Sequence, residues 1–445
     1  MYDRRRRTHL SRCLADAFLA GAWDEGALVA RLEDVLTHRP GWARRLAREV
    51  IRSYHRPPRD RPRELAGFIA LTLESWPAPT GGALPRVRRW LLPELAMGRR
   101  RWPVPELDSV RAVADFLELS PGHLDWLADA RGLERTVKAG KLRNYSYTWL
   151  PREHRPPRVI ERPKPRLKAA QRRLLHELLD WIPAHDAAHG FTRGRSARSH
   201  AAVHVGRLVI LRLDLEDFFA SVPAARVFGI FRTAGYPEPV AHTLTALSTN
   251  AVPVAEWGAL PRPTAPSQVG AHHRLGRRLA TPHLPQGAPT SPALANLALF
   301  ALDRRLTGLA ATVGAGYSRY ADDLTFSGSR ELLRCAAGVR ATVAAIAREE
   351  GFAVNHQKST LTTRAGRQRV CGIVVNERPN VARAEYDELK AILHNAARRG
   401  PRGQNRGQIR NFRAHLLGRV AWVESLHPVR GARLRRDFAR IDWEA

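Results

Sequence analysis

Two adjacent aspartates, Asp322 and Asp323, follow Tyr320-Ala321 in the stretch Tyr317 to Phe326, which predicts strand, tight turn, strand with acids at the turn. Carboxylates side by side on a hairpin repel each other, and their pairing makes sense when divalent cations neutralise them. Hard oxygen ligands around a partly hydrated position favour magnesium over zinc. A third acid, Asp214, follows the apolar run Leu208 to Leu213, which suits a buried strand. Asp214 is therefore expected at a strand end, where it completes a two-metal carboxylate site with Asp322 and Asp323.

The elements around these acids are mixed. Between Tyr145 and Asn376, short apolar runs such as Leu208 to Leu213 and Val370 to Val375 lie between helical stretches, which implies α and β together. Upstream, Leu10, Cys13, Leu14, Phe18, Leu28, Leu32 and Val35 recur at helical spacing and predict a helical N-terminal module, residues 1–90. A Pro/Gly cluster at 76–86, with Pro77, Pro79, Gly81, Gly82 and Pro85, reads as a linker. Val110, Val113, Phe116 and Leu117 form another stripe. Ser120-Pro121 then predicts an N-cap with proline at N1, opening a helix that closes near Gly132. After Asn380 the pattern is helical and basic, interrupted by a Gly/Arg-rich break from Arg398 to Gly407. Pro253 to Pro282 reads as a surface insertion.

Lysine and arginine number 73 against 42 acids, a formal charge of +31 that attracts polyanions and makes nucleic acid the first candidate partner. Three cysteines, Cys13, Cys335 and Cys371, are too few and too scattered for a disulfide framework or a paired zinc site, and point to a reducing cytoplasm. The segment Leu10 to Leu19 is broken by Ser11, Arg12 and Asp16, and no long apolar run occurs. The chain is therefore expected to be neither exported nor membrane-spanning.

Between the acids lies Leu284-Pro285-Gln286-Gly287-Ala288-Pro289-Thr290-Ser291-Pro292, whose proline and glycine content is unusual for a simple core element. With this stretch the chain resembles reverse transcriptases. Asp214 with Phe218-Phe219 is similar to their motif A, Pro285-Gln286-Gly287 to motif B, Tyr320 to Asp323 to motif C, and Gly351 to Lys358 to motif D. Arg158-Val159-Ile160, Pro163 to Lys168, Ala188 to Phe191 and Gly194-Arg195-Ser196 resemble the preceding blocks, so the likeness spans roughly residues 140 to 425. It implies an α+β right-hand polymerase, with fingers, a palm with an antiparallel sheet, and a helical thumb, preceded by a small all-helical region. Fingers and palm would occupy 91–376 and the basic thumb 377–445.

The resemblance also implies roles. Asp214, Asp322 and Asp323 would be the catalytic, metal-binding acids, with Asp214 and Asp322 holding one ion and Asp323 tuning the site from beside it. Arg158 and Lys164 would neutralise the incoming triphosphate. Phe219, five positions after Asp214, would be the steric gate that rejects a ribose 2′-hydroxyl. Gln286 and Gly287 would let the backbone approach the nascent base pair, and Lys358 would protonate pyrophosphate.

Within the superfamily the chain is most similar to bacterial retron enzymes. The block His200-Ala201-Ala202-Val203-His204 matches N-A-x-x-H with histidine for asparagine, and Val370-Cys371-Gly372 matches V-T-G with cysteine for threonine. These two blocks, His200, Ala201 and His204 with Val370, Cys371 and Gly372, are assigned to lineage and RNA recognition. The resemblance implies a magnesium-dependent polymerase that copies a structured non-coding RNA, both template and primer, from an internal guanosine 2′-hydroxyl. Its product is single-stranded DNA (msDNA), formed through an RNA-DNA hybrid from dNTPs, within an anti-phage defence system. An effector protein and a host RNase H would be separate partners. A group II intron-like or diversity-generating reverse transcriptase, or a non-catalytic RNA-binding scaffold, remain the alternatives at this point.

Overall fold

A computed structural model describes residues 2–76, 85–137, 140–153, 155–260, 263 and 266–444. The chain divides into two compact units, one of Met1–Pro183 with Val222–Leu294, the other of Ala184–Ser221 with Ala295–Ala445.

In the first unit the N-terminal stripe becomes α1 (Tyr2–Phe18) and α2 (Glu25–Val35), followed by α3 (Ala43–Ser53) and α4 (Pro62–Ser75). Asp24 caps α2 by accepting from the Ala27 amide at 2.8 Å. Leu10, Cys13, Leu14, Phe18, Leu28, Leu32 and Val35 are all buried in one core with Leu46, Val50, Leu65 and Ile69. The expected linker falls largely at 77–84, outside the described residues. Ser120 caps a helix with Pro121 at its first position, as the sequence predicts, but the helix stops at Ala128 rather than near Gly132. Asp129 takes a left-handed conformation there (φ 41°), and its carboxylate accepts from the amides of Leu133 and Glu134. An aspartate that satisfies two free amides at once ends the helix early.

The first unit also carries an antiparallel hairpin of β1 (Tyr145–Leu150) and β2 (Arg158–Pro163). The insertion is more ordered than a plain surface loop: it contains helices Val254–Gly258 and Pro266–Leu279, with Leu275 and Leu279 buried. A Cβ at Gly276 would lie 2.9 Å from the Trp257 ring, so glycine lets the two helices close on each other.

The second unit is built on a four-stranded antiparallel sheet in the order β4 (Gly316–Tyr320), β5 (Asp323–Gly328), β3 (Val209–Asp214), β6 (Thr360–Thr363). β3 shows the near-continuous burial of a central strand. The run Val370 to Val375 is split into a short hairpin, β7 (Arg369–Val370) and β8 (Ile373–Val374), because Cys371 and Gly372 both take positive φ (47° and 80°). Helices Arg383–Arg399, Phe412–Leu426 and Pro428–Ala439 follow, and Leu389, Leu393, Leu416, Val420 and Leu434 bury their apolar faces with Val370 and Ile373. Among the described residues no helix is long and apolar enough to cross a membrane.

Candidate active site

The strand alternation that buries Leu211 and Leu213 places Asp214 as the last residue of β3. Its cross-strand partner is Asp323, the first residue of β5, and Asp323 is also paired with Tyr320 at the end of β4. Ala321 and Asp322 therefore form a two-residue turn, and the three acids meet at one end of the sheet. Ala321 is left-handed, with φ 55°. Backbone bonds fix the approach: the Leu215 amide donates to the Asp322 carbonyl at 3.0 Å, and the Asn355 amide to the Asp214 carbonyl at 2.7 Å.

Each acid has a different electrostatic setting. Lys358, in the short turn His356–Lys358, donates to both Asp214 carboxylate oxygens at 2.7 and 2.8 Å. Arg212, two residues before Asp214, forms an ion pair with Asp323, its Nε donating at 3.3 Å. Among the described residues Asp322 has no cation in such contact. Burial, and then the charge of Asp214, push the Asp322 carboxyl above the usual carboxylate range. Burial also raises Asp323, outweighing the opposite pull of Arg212.

Among the described residues no three His, Cys, Asp or Glu side chains converge as a ready metal cluster. Asp214 and Asp322 are two neighbouring hard oxygen donors, a donor set that a divalent cation satisfies.

An aromatic group flanks the acids. Phe218 is buried, whereas Phe219 is half-buried, with its ring centroid 6.2 Å from Phe191, which is itself 6.4 Å from Tyr320. Of the two phenylalanines of the motif, Phe219 is thus the one left open to a ligand. Phe191 has φ 60° and is 49% exposed, a conformation that holds a large ring out from the surface.

The lineage blocks are interior. His200, Ala201, His204 and Val370 are buried, and Ser318 Oγ lies 2.7 Å from His200 Nδ1 and 2.8 Å from His204 Nε2. His204 Nδ1 also lies 2.8 Å from Ser327 Oγ. Burial pushes both imidazoles far down, to about 2 for His200 and about 3 for His204, so both are neutral at ordinary pH. The two histidines bond to Ser318 on β4 and to Ser327 and Thr325 on β5. Cys371 is only partly buried and Gly372 forms the other half of its turn. Burial and the neighbouring Asp323 push the Cys371 thiol up to about 12.

The remaining predicted residues lie in the first unit. Arg158 is exposed at the start of β2. Lys164 directs its ammonium to the carbonyls of Gly140 and Lys141. The Glu161 amide donates to the Gln286 carbonyl at 2.8 Å, and a Cβ at Gly287 (φ 131°) would lie 2.8 Å from the Glu161 carbonyl oxygen. Gly287 is thus required by close approach to β2. Below it, Glu161 and His283 form a buried ion pair at 3.0 Å, and Asn250 Nδ2 donates to the second Glu161 oxygen at 2.7 Å.

Sequence reasoning assigned no role to Arg212, Glu161, His283, Asn296, Asp303 or Arg319, and quoted Gly190 and Phe191 without one. Arg212 had a signal, a cation two positions before a strand-end acid and so on the same face. The rest depend on contacts between residues far apart in sequence.

The family model described as reverse transcriptase (RNA-dependent DNA polymerase) matches residues 151–390. The chain is 41% identical over 350 residues to the retron Mx65 reverse transcriptase of Myxococcus xanthus, covering 78% of this chain and 75% of the relative. It is 34% identical over 354 residues to the retron Mx162 reverse transcriptase of the same organism, covering 76% and 68%. With the retron Ec86 reverse transcriptase of Escherichia coli it shares 32% identity over 238 residues, covering 53% and 64%.

Proposed function

Because this chain belongs to the reverse transcriptases, and among them to the retron enzymes, we propose that it extends a DNA strand on a structured non-coding RNA at the hairpin end formed by Asp214, Asp322 and Asp323. It is an RNA-directed DNA polymerase, and the family works with divalent metal ions. The observation that carries the site assignment is the cross-strand pairing of Asp214 with Asp323 beside Asp322, whose carboxyl is raised by burial and by Asp214.

Magnesium held by Asp214 and Asp322 would supply the positive charge that activates the primer hydroxyl and offsets charge on the leaving pyrophosphate. Arg212, ion-paired with Asp323, would hold that carboxylate aside, so that Asp323 tunes the pair from beside it. Lys358, whose ammonium bonds to Asp214, would donate a proton to the leaving pyrophosphate. Phe219 presents its ring as the barrier to a 2′-hydroxyl. Arg158 and Lys164 neutralise the triphosphate, Arg158 by its exposed planar fork, and Gln286 and Gly287 support the nascent pair.

The retron reading extends further. Synthesis would be primed from an internal guanosine 2′-hydroxyl of the RNA and pass through an RNA-DNA hybrid, in the cytoplasm and within an anti-phage system that uses a separate effector protein and host RNase H. Fingers and palm (91–376), the basic helical thumb (377–445) and a helical adaptor (1–90) would divide the work, with the thumb gripping the RNA. Identity with retron enzymes favours this over group II intron-like or diversity-generating enzymes, and the polymerase assignment displaces a non-catalytic scaffold.

The Asp322→Asn, Asp323→Asn double variant is expected to lose magnesium-dependent nucleotide incorporation while RNA binding persists. Undiminished incorporation overturns the site. Expression with the upstream intergenic region is expected to yield a small single-stranded DNA sensitive to a debranching enzyme, and a linear product counts against the priming assignment.

A further inference from the structure

Arg319 is fully buried in β4, one residue before Tyr320. A buried cation is costly unless its donors are met, and packed apolar side chains can fill such a volume at least as well. The destinations of its N–H groups are therefore informative. Its Nε donates to Asp303 Oδ1 at 2.8 Å and its Nη2 to Asp303 Oδ2 at 2.6 Å, a two-point pairing with an equally buried acid. Its Nη1 donates to the carbonyl of Ala321 at 3.0 Å and to Asn296 Oδ1 at 3.1 Å. The Asn296 amide donates in turn to the Gly190 carbonyl at 2.8 Å. Gly190 lies so close over the Ala321 amide that a Cβ there would be 2.6 Å from that nitrogen. Tyr317 Oη donates to Asp303 and fixes the far end.

The Ala321 carbonyl is thus held by Arg319, Gly190 packs closely against its amide, and Asn296 ties Arg319 and Gly190 together. Ala321 needs such holding, because a left-handed non-glycine backbone is disfavoured. Asp322 is the next residue. We propose that Asp303, Arg319 and Asn296 form a positioning bracket that keeps Ala321 left-handed and so aims the Asp322 carboxylate at the catalytic metal. The inference rests on the reading that Asp322 is a metal ligand.

Arg319→Lys is the test. Lysine keeps a cation beside Asp303 but lacks the planar fork that reaches Ala321 and Asn296 at the same time. Two readouts apply: Mn2+ affinity, from the signal of free Mn2+ in electron paramagnetic resonance without substrate, and single-turnover incorporation on primed RNA with KM for dNTP. Losing about one hydrogen bond to the turn predicts Mn2+ affinity and turnover rate each reduced about 3- to 10-fold, with KM unchanged. Ala321→Gly in the Arg319→Lys background is expected to recover part of both, since glycine adopts the left-handed turn without the bracket. A merely structural salt bridge predicts no such rescue.

If Arg319→Lys does not fold, Asn296→Ala, which leaves the Arg319–Asp303 pair intact, is expected to show the same losses on a smaller scale. Unchanged Mn2+ affinity in the folded variant overturns the bracket, as does a loss that Ala321→Gly leaves unmended. Asp322→Asn separates the two readings. If it leaves Mn2+ binding intact, the metal-ligand reading fails. If it abolishes binding while Arg319→Lys does not alter it, the bracket alone fails.

Discussion

Gly190→Ala gives a direct measure of how tightly the catalytic turn is held. A Cβ at Gly190 would stand 2.6 Å from the Ala321 nitrogen and 3.2 Å from the Tyr320 carbonyl carbon, where ordinary contact begins at 3.4 Å. Relief needs a movement of about 0.8 Å, and both obstructing atoms are backbone, which cannot rotate away. The turn that yields is the one carrying Asp322. Misplacement of reacting groups by about 1 Å costs on the order of 100-fold in rate, so a loss of about 30- to 100-fold in single-nucleotide incorporation is expected. Overpacking is expected to cost about 1–3 kcal/mol of stability, a melting shift of several degrees that leaves the protein folded at assay temperature. The assay is primer extension by one dNTP on an RNA template, with RNA affinity and thermal unfolding measured on the same preparations. Gly338→Ala is the control, since a Cβ there meets nothing within 4 Å and that helix gains slightly from alanine. If Gly190→Ala keeps more than about a third of the wild-type rate, the turn tolerates displacement, and the positional reasoning fails.

Phe219→Ala is expected to lower discrimination of dNTP over rNTP by on the order of 10- to 100-fold, read as the ratio of kcat/KM values, with dNTP incorporation largely retained. An unchanged ratio would assign Phe219 to packing with Phe191 and Phe218. Burial lowers the tendency of His283 to be charged, but the charge and hydrogen bond of Glu161 outweigh it, and the imidazole titrates above its usual value. A group raised in the folded state stabilises fully below its unfolded pKa, about 6.5, and loses that contribution as pH rises through the folded value. The melting temperature of the wild type relative to His283→Gln is therefore expected to fall from about pH 6.5 upward. A difference that is flat or grows with pH refutes the ion-pair reasoning.

The parts of the site legible in the sequence are those carried by local pattern. Leu208 to Leu213 ends in Asp214 because a buried strand has a recognisable composition, and Tyr317 to Phe326 reads as a hairpin because polar turn residues interrupt apolar runs. The helices α1 and α2 follow from spacing in the same way, whereas α3 and α4 were covered only by the general expectation of a helical module. Helix ends were less legible: Asp129 stops its helix early through two side-chain bonds that its neighbours do not advertise. Val370 to Val375 looked like one run, yet the positive φ of Cys371, a residue with no turn preference, divides it. Arg319 was illegible for a different reason. A lone arginine in a chain with 73 basic residues reads as surface charge, and only the contact with Asp303, 16 residues upstream, reveals a buried fork.

That excess of cations also explains how three acids can share one end of a sheet. Lys358 meets Asp214, Arg212 meets Asp323, and Arg319 meets the carbonyl between Tyr320 and Asp322 rather than any of the three carboxylates. Lys358 and Arg212 lower the cost of burying negative charge, while Arg319, its charge met by Asp303, uses its remaining N–H group to fix the turn. Asp322 is left as the carboxylate with no direct ion pair among the described residues, and burial, then repulsion from Asp214, raise its pKa against the opposing pull of Lys358. A metal reaching Asp214 must share its oxygens with Lys358, whereas Asp322 offers its oxygens free of any direct ion pair among the described residues. The shortfall at Asp322 is therefore what a divalent-ion site requires of its scaffold: enough neutralisation to fold without the ion, and one acid left for the ion to pair with directly.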